Sequence, residues 1–171
     1  MVVIPSDQPY AISKYEVSRQ DFDLFCSESG KCSPTGGDLK MPATQITFDL
    51  VNEYTSWLSA ETGKTYRLPS DDEWVYAATG DGNLGKDFNC LLKLGGNVIK
   101  GANVLPINSG KPNSWGLHNP VGNVQEWTAD GGVRGGAHKD TMSNCDISLK
   151  RNHSGGADEV TGFRILQELQ G

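Results

Sequence analysis

The chain has 171 residues, 36% of them hydrophobic, with 15 basic and 21 acidic side chains and a formal net charge of −6. That length suits one domain with a core of its own, and the scattered Lys and Arg exclude the concentrated positive footprint that nucleic-acid binding needs. No run of about 18 apolar residues exists to cross a bilayer, so direct membrane insertion of this domain is not expected.

The opening M-V-V-I-P-S-D lacks the charged start and long apolar centre of a signal peptide. It reads as the strand-like start of a domain excised from a larger protein. Tyr10 to Val17 alternates well enough for a strand. Ser18 follows as a helix N-cap, with Asp21 three residues on. Phe22, Phe25 and Cys26 share one helical face, and Gly30 stops that helix. Lys31 to Met41 is turn-rich and reads as a surface loop.

Thr47 to Thr62 carries the clearest helical pattern, with Phe48, Val51, Thr55 and Leu58 at helical spacing, Thr47 as cap and Gly63 as stop. Tyr66 to Pro69 is short and extended. Ser70-Asp71-Asp72-Glu73 is a capping-box sequence that opens a third helix, Asp71 to Thr79. Its buried face is Trp74, Ala77 and Ala78, and Gly80 ends it. Residues 80 to 113 are Gly-rich and nearly aperiodic, and a connection that long must be held by something. Cys90 is the candidate anchor; Val98-Ile99 and Val104-Leu105 are short strand-like pieces. Asn113 to His138 follows, dense in Gly and in Asn, Gln and Glu. Val133 to Ala137 reads as a strand, 139 to 158 as irregular and polar, and Thr161 to Leu169 as a closing strand. Pairing that strand with the opening one would bring the termini together.

Four cysteines allow two disulfides in three connectivities. Gly30 can turn Cys26 back on Cys32, which favours Cys26–Cys32 and Cys90–Cys145 over the other pairings. Four buried free thiols remain the alternative. A zinc site is disfavoured, because no C-x2-C spacing occurs.

Conventional catalytic signatures are missing. His118, His138 and His153 have no metal-binding spacing, and no G-x-S-x-G elbow, dinucleotide fingerprint or phosphate loop occurs. The run N-P-V-G-N-V-Q-E-W has a better physical reading. Carbonyls turned inward at Gly122, with oxygens from Asn119 and Glu126, suit a hard cation such as Ca²⁺. A tight loop whose polar side chains satisfy its own backbone explains the same residues equally well.

Taken in order, Y-A-I-S-K-Y-E-V-S, W-L-S-A-E-T-G-K-T-Y-R-L-P-S-D-D-E-W-V-Y-A-A, N-S-W-G-L-H-N-P-V-G-N-V-Q-E-W-T, V-R-G-G-A-H and T-G-F-R-I resemble the formylglycine-generating enzyme family, or sulfatase-modifying-factor domain, across nearly the whole chain. The resemblance implies one domain over residues 1–171 with an α+β, variant C-type-lectin-like fold. Such a fold is irregular, with short twisted antiparallel sheets, two main helices and adjacent termini. It also implies structural Ca²⁺ held by Asn119, Gly122, Val124 and Glu126, the middle two through backbone oxygens. A second calcium site of the family would fall within residues 83 to 107, where no convincing match exists.

The same resemblance removes the family's chemistry. Enzymes of the family oxidise a cysteine with copper held by two thiolates, five residues apart, after R-G-G; thiolates suit Cu(I) because both are soft. Here those positions are Asp140 and Cys145, so no copper and no formylglycine formation are expected. The H-x3-H-x-E run of the iron-dependent relatives is absent, as are the E-P-N and W-N-D motifs of calcium-dependent sugar binding. What remains is a noncatalytic ligand-binding or sensor domain outside the cytoplasm, such as the extracytoplasmic part of a bacterial serine/threonine kinase. Its ligand, an unidentified protein or small molecule, would meet the irregular segment after Arg134 through His138, Asp140, Asn144, Arg151 and His153. Two alternatives stand beside it. One is a variable display protein of a diversity-generating retroelement, with its diversified surface before the G-F-R closure. The other is a diverged metal-dependent oxidoreductase using Cys145 with His138 or His153.

Overall fold

The computed structural model describes residues 1–85 and 87–170. Its regular elements are short and occupy a minority of the chain: β1 (Val2–Ile4), β2 (Tyr10–Ile12), α1 (Arg19–Ser29), α2 (Phe48–Thr62), β3 (Tyr66–Arg67), α3 (Asp71–Thr79), β4 (Leu92–Leu94), β5 (Asn97–Lys100), β6 (Gln125–Trp127), β7 (Val133–Arg134), β8 (Lys150–Arg151), β9 (Thr161–Gly162) and β10 (Leu166–Glu168). They form a sheet ordered β1-β2-β10-β3, a second ordered β8-β7-β6-β9, and the hairpin β4-β5.

Local chemistry sets the helix ends as the sequence indicates. Ser18 Oγ accepts from Asp21 N–H and Thr47 Oγ1 from Leu50 N–H, and both helices end at left-handed glycines, Gly30 and Gly63. At α3 the capping box closes in both directions between Ser70 and Glu73. This helix is the third and shortest, beside the two main ones, α1 and α2. The helices present Phe22 and Phe25 from α1 and Val51 and Tyr54 from α2 to one core with Phe163, Trp127 and Leu68. Phe22 stacks on Tyr54 with ring centroids 5.6 Å apart, and Phe163 meets Tyr54 edge-on at 5.5 Å.

The closing segment pairs with the opening one, as the alternation implies: Leu166 and Val2 both lie opposite Ile12. Neither strand has the expected length. Residues 161–169 form two strands, β9 and β10, because Phe163-Arg164-Ile165 turns Arg164 into the core between them. The opening strand stops at Ile12 for the same reason. Beyond it, Ser13 N–H donates to Ile165 O and Val17 N–H to Phe163 O, both at 2.8 Å. The strand expected over Val133–Ala137 ends at Arg134, since Gly135 and Gly136 sit at φ of 87° and 72°. Val98 and Ile99 are in β5, whereas Val104 and Leu105 belong to a loop.

Both disulfides have the favoured pairing, Cys26–Cys32 and Cys90–Cys145. The second anchors the long 80–113 connection. Leu91 is held beside it, its N–H donating to Asp140 O at 2.7 Å and its carbonyl accepting from Met142 N–H at 2.8 Å.

Candidate functional site

Two neighbouring regions carry the polar chemistry. The first is the turn from Asn119 to β6. Asn119, Gly122 and Asn123 all have positive φ, 53°, 75° and 66°. The chain therefore curls under itself before entering β6, whose three residues are all buried. Gly122 is required there, because a Cβ would lie 2.6 Å from Cys90 Sγ.

Glu126 is completely buried, and both of its oxygens are engaged. Arg164 Nε donates to Oε2 and Arg164 Nη2 to Oε1, each at 2.7 Å, and Trp74 Nε1 donates to Oε2 at 2.7 Å. Arg164 spends its remaining hydrogens on the carbonyls of Ser13, Lys14 and His118. A second buried carboxylate stands beside this pair. Glu16 Oε1 accepts from Asn123 Nδ2 at 2.9 Å and Oε2 from Asn119 Nδ2 at 3.3 Å. Burial pushes the Glu16 carboxyl up to about 8, against the pull of Arg164. The sequence reading missed Glu16. Alternation could not have found it, because all three residues of β2 are buried and the strand ends at Ile12.

Two buried carboxyl groups thus stand near one guanidinium, which bonds to Glu126 and not to Glu16. Among the described residues no group of three or more His, Cys, Asp or Glu is placed to hold a metal. A hard cation at this turn would instead use the mixed oxygen set: Glu16, Glu126, the carbonyls of Gly122 and Val124, and the Asn119 amide turned to present Oδ1 instead of Nδ2. Calcium accepts irregular oxygen cages, but both Glu126 oxygens are already engaged by Arg164 and Trp74, so such a cation would have to compete with them for that carboxylate.

The second region follows Arg134. Gly135 fits under Pro120 O and the Trp74 ring, where a Cβ would meet them at 2.6 and 3.1 Å; a Cβ on Gly136 would lie 3.1 Å from Cys145 Sγ. The five residues expected to share a ligand surface have different fates. Asp140 accepts from Ala137 N–H at 2.7 Å and is gripped by both terminal nitrogens of Arg151. Desolvation opposes its charge, yet the Arg151 hydrogen bonds hold its pKa below the ordinary value. Arg151 also donates to Gln125 Oε1 at 3.1 Å. Gln125 continues to Thr161 Oγ1 at 2.8 Å, Thr161 to Asp158 Oδ2 at 3.0 Å, and Asp158 to His153 Nε2 at 2.8 Å. His153 is thus at the inner end of a hydrogen-bonded chain, edge-on to Trp127. His138 is buried, with Nδ1 2.8 Å from Gly101 O. Asn144 is exposed. The structure therefore brings Asp140 and Arg151 together and leaves Asn144 at the surface. It turns both histidines inward.

Beside this segment lies an open groove of about 760 Å³ between the β4 hairpin and the 141–146 turn, lined by Phe88, Leu92, Lys93, Met142, Cys145 and Asp146 among others. Its walls are mainly apolar, and Cys145 of the Cys90–Cys145 bridge is among them. None of these lining residues except Cys145 was singled out from the sequence, because the hairpin segment has no periodicity that marks it as a wall.

Comparison with known proteins places these features. The family model described as "Sulfatase-modifying factor enzyme 1-like domain" matches residues 4–169. A serine/threonine-protein kinase, pkn1, of Chlamydia pneumoniae is 27% identical over 170 residues, which is 82% of this chain and 26% of the kinase. A formylglycine-generating enzyme of Streptomyces coelicolor is 31% identical over 119 residues, 59% of this chain and 36% of the enzyme. This chain thus spans about a quarter to a third of the length of the curated relatives it matches. Among solved structures, PvdO from Pseudomonas aeruginosa superposes with a TM-score of 0.78 at 21% identity, covering 98% of this chain and 90% of PvdO. Treponema denticola variable protein 1 superposes with a TM-score of 0.75 at 16% identity, covering 99% and 92%. At those identities the structural likeness speaks for the fold, a C-type-lectin-like one.

Proposed function

Because this chain belongs to the sulfatase-modifying factor enzyme 1-like family, we propose that it is a noncatalytic ligand-binding or sensor domain whose ligand occupies the groove between the β4 hairpin and the turn 141–146. One observation carries the reading. At the two positions where the resemblance puts the copper thiolates, Asp140 is locked to Arg151 and Cys145 is bonded to Cys90. Neither supplies a thiolate, so the residues do not fit copper. The diverged-oxidoreductase alternative meets the same obstacle, since no free cysteine occurs among the described residues. Extracytoplasmic placement is part of this proposal and is supported by the two disulfides; no helix among the described residues is long and apolar enough to cross a membrane. The likeness to the Chlamydia kinase supports a place in a larger signalling protein.

The test is chemical. Protein incubated with Cu(I), oxygen and a cysteine-containing peptide should yield no hydrazide-reactive aldehyde and no oxygen uptake above the copper blank. Aldehyde formation that tracks protein concentration would overturn the reading. The display-protein alternative is less well supported. Asp140, Arg151, His153 and Asp158 are hydrogen-bonded into one chain with Gln125 and Thr161, so diversifying them would cost structure as well as change a surface.

Structural calcium at Asn119, Gly122, Val124 and Glu126, with Glu16 added, belongs to the same proposal. Its support is the nearness of two buried carboxyl groups, Glu126 and Glu16, at a turn with Asn119 and Asn123. Calcium present at about 100 times its dissociation constant would stabilise the fold by about 2.7 kcal/mol, a rise of roughly 5–10 °C in Tm for a chain of this size. EDTA should lower the transition by that amount, calcium should restore it, and Glu16→Gln should abolish the difference. An identical transition in EDTA and calcium would return the turn to a metal-free one.

A further inference from the structure

A second cavity, of about 350 Å³, opens on the other side of Phe88, between that residue and the 99–119 loops. Asn89 and Asn119 are among its lining residues, and both amides are oriented by what lies behind them. Asn89 Nδ2 donates to Asn103 O and to Asn123 Oδ1, each at 2.9 Å. Asn119 Nδ2 donates to Glu16 Oε2 and Ile107 O, each at 3.3 Å. With the nitrogens committed, the free ends of both side chains are oxygens. Asn119 Oδ1 lies toward Gly110, 3.5 Å from where a Cβ on that glycine would sit, and Gly110 also lines the cavity. No hydrogen bond among the described residues uses either Oδ1. Apolar wall is supplied by Phe88, Ile99 and Leu105. Asp87 stands at the mouth, where its carboxylate is paired with the ammonium of Lys100.

We propose that this cavity binds a primary alkylammonium group, with the ammonium at Asn89 Oδ1, Asn119 Oδ1 and the Asp87 carboxylate and the alkyl stem along Phe88, Ile99 and Leu105. The physical case is complementarity of hydrogen-bond sense. An ammonium offers three donors and no acceptor, and the cavity presents acceptors whose own donors are already used. A carboxylate or phosphate ligand would face these oxygens with only Lys100, already paired with Asp87, to attract it. A neutral alcohol would use one acceptor and leave Asp87 unused. Lys100 shows that an ammonium on a four-carbon stem is accommodated at the mouth, and it is also the internal competitor a ligand must displace.

The probe is n-butylammonium chloride, titrated into the whole chain labelled with ¹⁵N, in EDTA and at constant ionic strength. EDTA keeps the measurement apart from the calcium reading, which needs the opposite face of the Asn119 amide. Saturable shifts of the Asn89 and Asn119 side-chain amide signals are expected, with a dissociation constant of about 1 mM for so small a ligand. Butan-1-ol at the same concentrations should not saturate them. Asp87→Asn should weaken binding roughly two- to fivefold, the worth of a partly exposed ion pair. Lys100→Met, which removes the competitor, should tighten it by a similar factor. Linear, non-saturating shifts overturn the proposal, as does equal binding of the alcohol. An unchanged or weaker affinity in Lys100→Met overturns it as well. Both substitutions lie at the exposed mouth, so loss of the fold does not confuse the outcome.

Discussion

Arg164→Met is expected to be among the most damaging single substitutions in this chain, lowering the unfolding free energy by about 3–5 kcal/mol. Arg164 and Glu126 are both fully buried. Removing the guanidinium leaves Glu126 in the core with only the Trp74 N–H, and it takes a donor from the carbonyls of Ser13, Lys14 and His118, of which Lys14 O keeps the His118 N–H. The net worth of the intact pair is a different quantity, because burying both charges carried its own desolvation cost. A double-mutant cycle separates the two. Glu126→Gln with Arg164→Met should be less destabilised than the sum of the single variants, read as urea midpoints at constant m-value. A loss below about 1 kcal/mol for Arg164→Met would show that Glu126 finds another partner or takes up a proton without penalty. Calcium gives a further readout. In Arg164→Met the Glu126 carboxylate loses the guanidinium that engages both of its oxygens, so the calcium-dependent rise in Tm proposed above should grow.

The two disulfides should differ in what they contribute. Cys90–Cys145 closes a loop of 55 residues and Cys26–Cys32 one of 6. The chain-entropy model assigns about 4 kcal/mol to the longer loop and about 2 kcal/mol to the shorter. Replacing Cys90 and Cys145 together by alanine is therefore expected to cost roughly twice as much as replacing Cys26 and Cys32. Protection of amide hydrogens should fall first at Leu91 and Met142, which pair across the bridge. Equal losses for the two variants would mean that the 80–113 connection is held by its packing, and that the bridge follows from the fold without securing it. Thermal unfolding of both double variants under nonreducing conditions decides between these outcomes.

Local signals in the sequence proved readable where a few adjacent residues determine the outcome. Ser18, Thr47 and Ser70 cap helices because each side-chain oxygen needs only the N–H three residues on. Gly30 and Gly63 end helices because only the left-handed conformation is required. The closing strand was legible as a strand and illegible as two, since its interruption depends on Arg164 finding a carboxylate 38 positions earlier in the chain. Glu16 escaped notice for a similar reason. Its significance comes from Asn119 and Asn123, more than a hundred residues away, and no spacing rule connects them. His138 and His153 illustrate the reverse error. A polar side chain in an irregular segment suggests a surface, and the structure turns both rings inward to satisfy carbonyl and carboxylate partners. The groove and the second cavity lay beyond sequence reading altogether, because one wall of each comes from the aperiodic 87–110 stretch and the other from residues distant in the chain, 141–146 and Asn119.

The arrangement of the first sheet has a mechanical consequence. β1 and β10 flank β2, both antiparallel to it, with Val2 and Leu166 opposite Ile12 and Glu168 opposite Tyr10. The chain enters at one end of β2 and leaves at the other. Tension between the two ends is therefore carried as shear across the three-residue ladders on either side of β2, with their hydrogen bonds loaded together instead of one after another. A tether pulling on this domain would load these two short ladders before the helices and the β6–β7 sheet.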